Sequence, residues 1–251
     1  MCAATVDTRY ARHASLPNFG SDGVRALGNA HALIIGIGGT GCAAATTIAT
    51  AGLGSATLCD FDTVDVSNLA RQTLFSDASV GVNKARAARA RLRALRPAMP
   101  MDVINHRMSA DDLNSAVART DIVLDCTDNF ASRFMINRAC VANAKTLVSG
   151  SAIRWEAQLA VFGGDYRVSP CYACVYRDDD ESFDDCAGAG VLASLPATVG
   201  TMMAGEAIKA LTQPHHDRST LSLFDALSCQ WQQLRIPKNP DCTVCGQLPE
   251  A

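Results

Sequence analysis

The sequence contains a glycine motif of the kind that binds phosphate groups. An apolar run at residues 33–37 leads into the glycines, and an alanine- and threonine-rich segment follows at residues 42–51. The glycines are Gly36, Gly38, Gly39 and Gly41. This order predicts a buried strand, a tight turn free of Cβ atoms, and a helix whose unpaired N–H groups face a phosphate.

A carboxylate follows the next apolar run at the distance that a ribose would require. Residues 56–59 end in Asp60, which lies nineteen positions after Gly41. In dinucleotide-binding folds, an acid about 20 residues past the glycines accepts hydrogen bonds from ribose hydroxyls. Glycines also recur in turns that bind nothing, but the strand before and the helix after them favour a nucleotide site. The motif does not identify the nucleotide, so a nicotinamide-dependent oxidoreductase stays open at this point.

Polar residues after this second strand have side chains suited to contact phosphates. They include Asp60, Asp62, Asp65, Ser67, Asn68 and Arg71. Lys84 opens the next predicted helix, where a helix N-terminus disfavours a positive charge, and a nearby polyphosphate would remove that penalty. For Arg71 and Lys84 taken alone, phosphate contact and ordinary surface charge both remain open.

Asp128 lies just after the predicted fourth strand, within the polar sequence at residues 125–129. Open α/β folds place their ligands at this carboxyl edge of the sheet. The Asp128 carboxylate could cap the helix predicted from Phe130, or it could bind Mg²⁺ beside the phosphates. The two uses compete for the same oxygens.

Four of the eleven cysteines form two C-x-x-C pairs. They are Cys171, Cys174, Cys242 and Cys245. In a reducing compartment two such pairs indicate a tetrahedral Cys₄ zinc site, which is structural because four thiolates leave no open coordination position. Redox-active or merely buried cysteines are the alternative, because the long separation leaves open whether the pairs meet. Cys186 follows the acidic segment at residues 178–185, whose carboxylates are expected to raise the pKa of its thiol, and lone cysteines are more often inert.

Composition restricts the class of protein. The chain has 251 residues, is 48% apolar and 19% charged, and carries a net charge of −3. These values are typical of a globular protein and give no general electrostatic reason to bind nucleic acid or an anionic membrane. The sequence contains neither a signal peptide nor an apolar run long enough to span a bilayer, so a cytoplasmic location is expected.

Strand and helix patterns alternate from residue 31, which predicts an α/β fold with a mostly parallel, Rossmann-like sheet. Strands are predicted at residues 31–37, 56–60, 101–106, 121–125, 145–149, 219–225 and 229–236. Helices are predicted at residues 39–52, 83–96, 109–119, 130–143 and 194–211. Part of a period-two pattern at residues 152–162 predicts a half-buried strand and an antiparallel continuation of the sheet.

A single domain is expected over residues 1–251. Residues 1–30 form a helical lead-in, residues 31–150 the nucleotide-binding half, and residues 151–251 a second half with the zinc site. The acidic stretch makes residues 177–190, approximately, an expected mobile loop.

Taken together, these residues resemble the bacterial E1-like adenylyltransferases that activate ubiquitin-like sulfur carriers, and the likeness covers nearly the whole chain. It is carried by Arg9-Tyr10-x-Arg12, the glycine motif, Asp60-x-Asp62, Ser67-Asn68-Leu69-x-Arg71-Gln72, Lys84, Asp125-Cys126-Thr127-Asp128-Asn129, Cys186-x-x-Ala189-Gly190-Val191 and both cysteine pairs. Ala70 departs from the family pattern, since a glutamine is usual there.

The resemblance implies a set of site residues. Nucleotide contacts are implied for Gly36, Gly38, Gly39, Gly41, Asp60, Asp62, Ser67, Asn68, Arg71, Lys84, Asp128 and Asn129. Asp60 would hold the ribose, Asn68, Arg71 and Lys84 the phosphates, and Asp128 the Mg²⁺. Arg12 would reach the site of the other subunit of a homodimer, and Cys186 would lie over the entering carrier tail, where related enzymes form a covalent link. Zinc would be bound by Cys171, Cys174, Cys242 and Cys245.

The implied reaction is ATP-dependent adenylation of a carrier's C-terminal glycine. The carrier would end in Gly-Gly, and residues 148–154 resemble the molybdopterin branch more than the thiazole branch. No sulfurtransferase region follows Cys245, so a separate sulfurtransferase or cysteine desulfurase is expected to supply sulfur. The competing hypotheses are a nicotinamide-dependent oxidoreductase and a non-catalytic carrier-binding module, although neither requires Arg12, Arg71, Lys84 and Asp128 together.

Overall fold

The computed structural model describes residues 7–177, 190–213, 219–246 and 248. The strands, numbered β1 to β8 in chain order, are His31–Ile35, Ser55–Cys59, Met101–Ile104, Ile122–Asp125, Thr146–Ile153, Glu156–Phe162, Ser219–Asp225 and Gln230–Arg235. The helices, numbered α1 to α7, are Ala11–Ala14, Gly20–Asn29, Gly39–Ala51, Lys84–Leu95, Ala110–Ala118, Phe130–Ala142 and Ser194–Thr212. Apart from the strand at residues 152–162, every strand and helix predicted from residue 31 onward is therefore found, with boundaries shifted by a few residues.

All eight strands belong to one sheet, in the order β3-β2-β1-β4-β5-β6-β7-β8. The first five strands run parallel, and β6, β7 and β8 continue the sheet antiparallel, so the predicted fold class is confirmed. The strand order reverses between β1 and β4, where Ile35 lies beside Asp125 at the carboxyl ends of the strands. Ligands of open α/β sheets bind at such a reversal point.

The predicted half-buried strand at residues 152–162 is wrong in its boundaries and in its burial. Residues Ala152 and Ile153 end β5, and Arg154 then turns the chain with a positive φ of 52° before β6 begins. The last four residues of β6 are all buried rather than alternating, because Leu159 and Val161 pack in one core and Ala160 and Phe162 pack in the other. A central strand covered on both faces loses the period-two pattern.

Helices cover both faces of the parallel half. One core contains buried residues of α3, α4 and α7, and the second contains residues of α5, α6 and the segment around Cys171. Helix α7 approaches α3 closely, since a Cβ at Gly200 would lie 2.2 Å from the Thr40 carbonyl oxygen. Among the described residues, no helix combines the length and apolarity needed to cross a bilayer. Cys186 and nearly all of the acidic loop lie outside the described residues.

Candidate functional site

The glycine turn between β1 and α3 is shaped by close contacts at three of its positions. Gly36 has a φ of +86°, and a Cβ there would lie 2.7 Å from the Cys126 carbonyl oxygen. At Gly41 a Cβ would lie 1.9 Å from the Gly36 oxygen, and at Gly39 it would lie 2.7 Å from the Cβ of Pro196 on α7. Backbone conformation and packing therefore explain these three glycines.

Gly38 differs from the other glycines of the turn. Its φ of −85° suits any residue, and the nearest atom to a Cβ placed there would be Nε2 of Gln72 at 3.8 Å. The protein itself therefore gives no reason for a glycine at this position. Space in front of a backbone N–H at a helix N-terminus is what an approaching phosphate requires.

Asp60 lies at the end of β2 and is only 8% exposed. Its two carboxylate oxygens accept hydrogen bonds from the backbone N–H groups of Ile37, at 2.7 Å, and Asp62, at 2.9 Å. Burial raises the pKa of this carboxyl, and the two N–H bonds oppose that shift. Asp60 therefore ties the glycine turn to β2, and its contact with a ribose stays a prediction.

Lys84 opens α4 and is buried, with its Nζ 3.1 Å from Oδ2 of Asp62. This ion pair offsets the unfavourable positive charge at the helix N-terminus, so the position of Lys84 does not by itself require a bound polyphosphate. Asn83, which the sequence analysis missed, caps the helix by accepting the N–H of Arg86. The same side chain donates to the carbonyl oxygens of Asp60, at 2.9 Å, and Asp62, at 3.0 Å. An asparagine directly before a helix was the available signal.

Arg71 follows a short 3₁₀ helix, Val66–Asn68. Asp65 caps that helix by accepting the backbone N–H of Ser67 at 2.8 Å and its hydroxyl at 2.6 Å. Arg71 in turn donates from Nη1 to the Ser67 carbonyl oxygen at 3.0 Å. The Ser67 hydroxyl is thus directed to Asp65, while Arg71 keeps further guanidinium donors for a ligand.

The competition between the two possible uses of Asp128 is resolved by its neighbour. Asn129 is the N-cap of α6, with Oδ1 accepting the N–H of Ser132 at 2.9 Å. Asp128 is exposed, and its Oδ1 accepts a long hydrogen bond of 3.4 Å from Nδ2 of Asn129. The Asp128 carboxylate is therefore available to a ligand, and the capping role considered for it belongs to Asn129.

A buried polar network behind Asp128 escaped the sequence analysis. Asp125 is fully buried and accepts hydrogen bonds from Thr127 N–H, Thr127 Oγ1 and Ser149 Oγ. Arg133 on α6 donates to Ser149 Oγ at 3.3 Å and to the carbonyl oxygens of Thr127 and Gly150. Thr127, the residue before Asp128, is therefore held by Asp125 through its N–H and hydroxyl and by Arg133 through its carbonyl oxygen. The sequence around Arg133 carries no signal that this arginine is buried.

The carboxyl ends of β1, β2 and β4, with the loops that follow them, are called the nucleotide edge below. The predicted nucleotide-binding residues all lie at this edge or in the segments that follow it: Gly36, Gly38, Gly39, Gly41, Asp60, Asp62, Ser67, Asn68, Arg71, Lys84, Asp128 and Asn129. Arg12 is exposed on α1, in the lead-in, and its contact with another subunit stays a prediction. Cys186 lies outside the described residues.

The two C-x-x-C pairs meet, although 71 positions separate their corresponding members. The four sulfur atoms of Cys171, Cys174, Cys242 and Cys245, called the cysteine cluster below, lie within 4.8 Å of one another. Sγ of Cys171 is 3.7 Å from Cys242, and Sγ of Cys174 is 3.5 Å from Cys245. These distances exceed a disulfide bond of about 2.05 Å. They match the edge of about 3.8 Å expected for a tetrahedron with Zn–S bonds of about 2.3 Å.

Two side chains from separate segments support the cluster. Asn137 of α6 donates from Nδ2 to Cys171 Sγ at 3.6 Å and accepts the backbone N–H of Tyr172. Lys238 donates from Nζ to Cys245 Sγ at 2.7 Å and to the carbonyl oxygens of Tyr166 and Cys245. A cation beside the sulfurs reduces the net negative charge of four thiolates around one divalent ion.

These features define a class of protein: an α/β protein with a Rossmann-like sheet, a glycine turn suited to phosphate and a closed four-cysteine cluster. The chain belongs to the ThiF family, whose model matches residues 10–244.

Curated relatives match over nearly their whole length. The chain is 43% identical over 241 residues to the molybdopterin-synthase adenylyltransferase of Salmonella typhimurium, which covers 95% of this chain and 96% of the relative. It is 39% identical over 238 residues to the sulfur carrier protein ThiS adenylyltransferase of Escherichia coli, which covers 95% of this chain and 94% of that protein. Both names describe adenylyl transfer rather than oxidoreduction.

Among solved structures, the crystal structure of Escherichia coli MccB with ATP superposes with a TM-score of 0.83. The alignment covers 97% of this chain and 75% of that one at 21% identity. This similarity supports the fold alone.

Proposed function

We propose that this chain adenylates the C-terminal glycine of a ubiquitin-like sulfur carrier with ATP and releases pyrophosphate. The observation that carries the proposal is the near full-length identity of 43% to an adenylyltransferase of molybdopterin synthase. The 39% identity to the ThiS adenylyltransferase supports the same reaction class. The higher value favours the molybdenum-cofactor branch over the thiazole branch.

The chemistry is governed by electrostatic repulsion. A glycine carboxylate oxygen attacks the α-phosphorus of ATP, the bond from that phosphorus to the bridging oxygen breaks, and pyrophosphate leaves with the electron pair. Both reactants are anions, and the carboxylate is already ionised at neutral pH, so the reaction needs positive charge rather than a general base.

Two residues of the nucleotide edge, Arg71 and Lys84, have the positive charge that this reaction requires, and a third, Asp128, is suited to hold a cation. Arg71, Lys84 and Asn68 are proposed to contact the phosphates. Asp60 is proposed to contact the ribose. The exposed carboxylate of Asp128 is suited to hold Mg²⁺, which when bound supplies further positive charge to the leaving pyrophosphate. Ion pairing does not exclude this role for Lys84, because Asp62 is half exposed and leaves two N–H donors of the ammonium group for a phosphate.

The remaining assignments belong to the same proposal. Zinc is proposed for the cysteine cluster in a structural role, because four thiolates leave no open coordination position. Arg12 is proposed to complete the site of a second copy in a homodimer. Cys186 is proposed to lie near the carrier tail, and a separate sulfurtransferase or cysteine desulfurase is proposed to supply the sulfur.

The test is exchange of labelled pyrophosphate into ATP. Two purified carriers ending in Gly-Gly, one of the molybdopterin type and one of the thiazole type, are added separately, with a no-carrier control and a control lacking the last glycine. Exchange with the first carrier alone is expected, and exchange with both would indicate a shared activator. Absence of exchange from a folded, zinc-loaded protein with either carrier would reject the proposal.

A further inference from the structure

Gln72 is a buried glutamine with an unsatisfied carbonyl oxygen. The residue is 4% exposed, and its Oε1 has no hydrogen-bond partner among the described residues. Its backbone N–H donates to the Asn68 carbonyl oxygen at 3.0 Å, so the local fold already fixes the main chain without help from the side chain. A buried polar atom without a partner lowers stability and calls for an explanation.

The position of Gln72 points to the glycine turn. Its Nε2 lies 3.8 Å from where a Cβ of Gly38 would stand. The carbonyl oxygen of the preceding residue, Arg71, lies 3.3 Å from the corresponding point at Gly39. The segment at residues 71–72 therefore packs directly against the turn, with the amide donor of Gln72 on the side of the one glycine that protein contacts do not explain.

An apolar side chain of the same length would fit this position at lower free energy. Leucine or methionine would fill the space without desolvating a carbonyl group, and local rules of stability are broken chiefly at functional sites. A use for the Nε2 donor at the other end of the side chain would offset this cost.

We propose that the Gln72 amide is a nucleotide-binding group whose Nε2 donates to a phosphate oxygen of a nucleoside triphosphate approaching Gly38. The inference rests on the proposed function and adds a residue to its binding site. Nε2 is a neutral donor, so it complements Arg71 and Lys84 by fixing the direction of approach rather than by adding charge.

Gln72→Leu tests the proposal because it separates affinity from stability. Removing the orphaned carbonyl is expected to raise the Tm of the nucleotide-free protein by about 2–4 °C. Loss of the donor is expected to weaken binding of Mg·ATP, measured by calorimetry, about tenfold. Gln72→Glu keeps the shape but replaces the donor by a negative charge, so its affinity should be lower still.

Gln158→Leu is the matched control. Gln158 is a half-buried glutamine on β6 whose Oε1 accepts the hydroxyl of Tyr176 at 2.6 Å. Its replacement should lower the Tm and leave Mg·ATP affinity unchanged, the opposite pattern to Gln72→Leu. If Gln72→Leu does not fold, Gln72→Met serves instead.

Wild-type binding and exchange are measured first, so that the two proposals can fail separately. A wild-type protein that neither binds Mg·ATP nor exchanges pyrophosphate rejects the proposed function. A wild-type protein that does both, next to a Gln72→Leu variant with unchanged Mg·ATP affinity, overturns the role of Gln72 and leaves the proposed function standing.

Discussion

The cysteine cluster and the nucleotide edge are built in different ways. All four sulfur atoms of the cluster converge within 4.8 Å, and supporting donors from Asn137 and Lys238 already contact them. The polar groups of the nucleotide edge instead pair with their own neighbours, as Lys84 does with Asp62 and Arg71 with the Ser67 carbonyl oxygen. One site is organised around a single point, and the other is distributed along three strand ends.

On the proposed function, the difference reflects the size of the ligand at each site. A metal ion is a point charge, so its ligands must meet at one place and are recognisable from geometry alone. A nucleoside triphosphate is extended, so its contacts are spread out and each side chain needs a local partner while the nucleotide is absent. Stability is therefore expected to depend mainly on the cysteine cluster, and turnover mainly on the nucleotide edge.

Removal of zinc from the cysteine cluster should give the largest change in stability. It tests whether stability depends mainly on this cluster. Chelation is expected to lower the free energy of unfolding by several kcal/mol, because metal binding draws the chain around residues 242–245 to the segment around Cys171. Differential scanning calorimetry with and without chelator measures the change. An unchanged Tm in protein shown to be metal-free would contradict a structural role for zinc.

Substitutions at Asp128 and its neighbour Asn129 test whether turnover depends mainly on the nucleotide edge. Asp128→Ala is expected to reduce pyrophosphate exchange about 100-fold or more, because a charged group at the transition state is lost, with little change in Tm. Asn129→Ala removes the N-cap of α6 and is expected to cost about 1 kcal/mol of stability. A large loss of stability in Asp128→Ala with unchanged exchange would reverse the assignment of the two residues.

Lys238→Met should weaken the cysteine cluster without touching a sulfur ligand. Loss of the donor to Cys245 and of its positive charge is expected to reduce zinc affinity about 10–100-fold, measured by competition with a chromophoric chelator. Lys238→Arg keeps the charge and should recover most of that affinity. Equal zinc affinity in Lys238→Met and the wild type would show that the cluster does not need the lysine.

The sequence predicted those parts of the fold and of the two sites that depend on local pattern. Strand and helix alternation predicted the parallel half of the sheet, and the cysteine spacing indicated a four-cysteine site. The burial of β6 was missed because residues 152–162 do not show which strands flank them. Arg133 and Gln72 were missed as buried polar residues for a similar reason: tertiary packing decides whether a polar side chain is enclosed, and the linear sequence does not record it.

The first turn of α5 should give the smallest effect and serves as a control away from both sites. Ser109 donates from its hydroxyl and its backbone N–H to Asp112, and these hydrogen bonds lower the pKa of the Asp112 carboxyl. A pKa depressed in the folded state means that the carboxylate contributes stability above its ordinary pKa of about 4, and that this contribution is lost as the pH falls through the lowered value. Asp112→Asn should therefore lower the Tm slightly at pH 7, with exchange unchanged, and the Tm difference from wild type should shrink as the pH falls below 4. A difference that stays constant with pH would mean that the carboxylate charge contributes nothing to the cap.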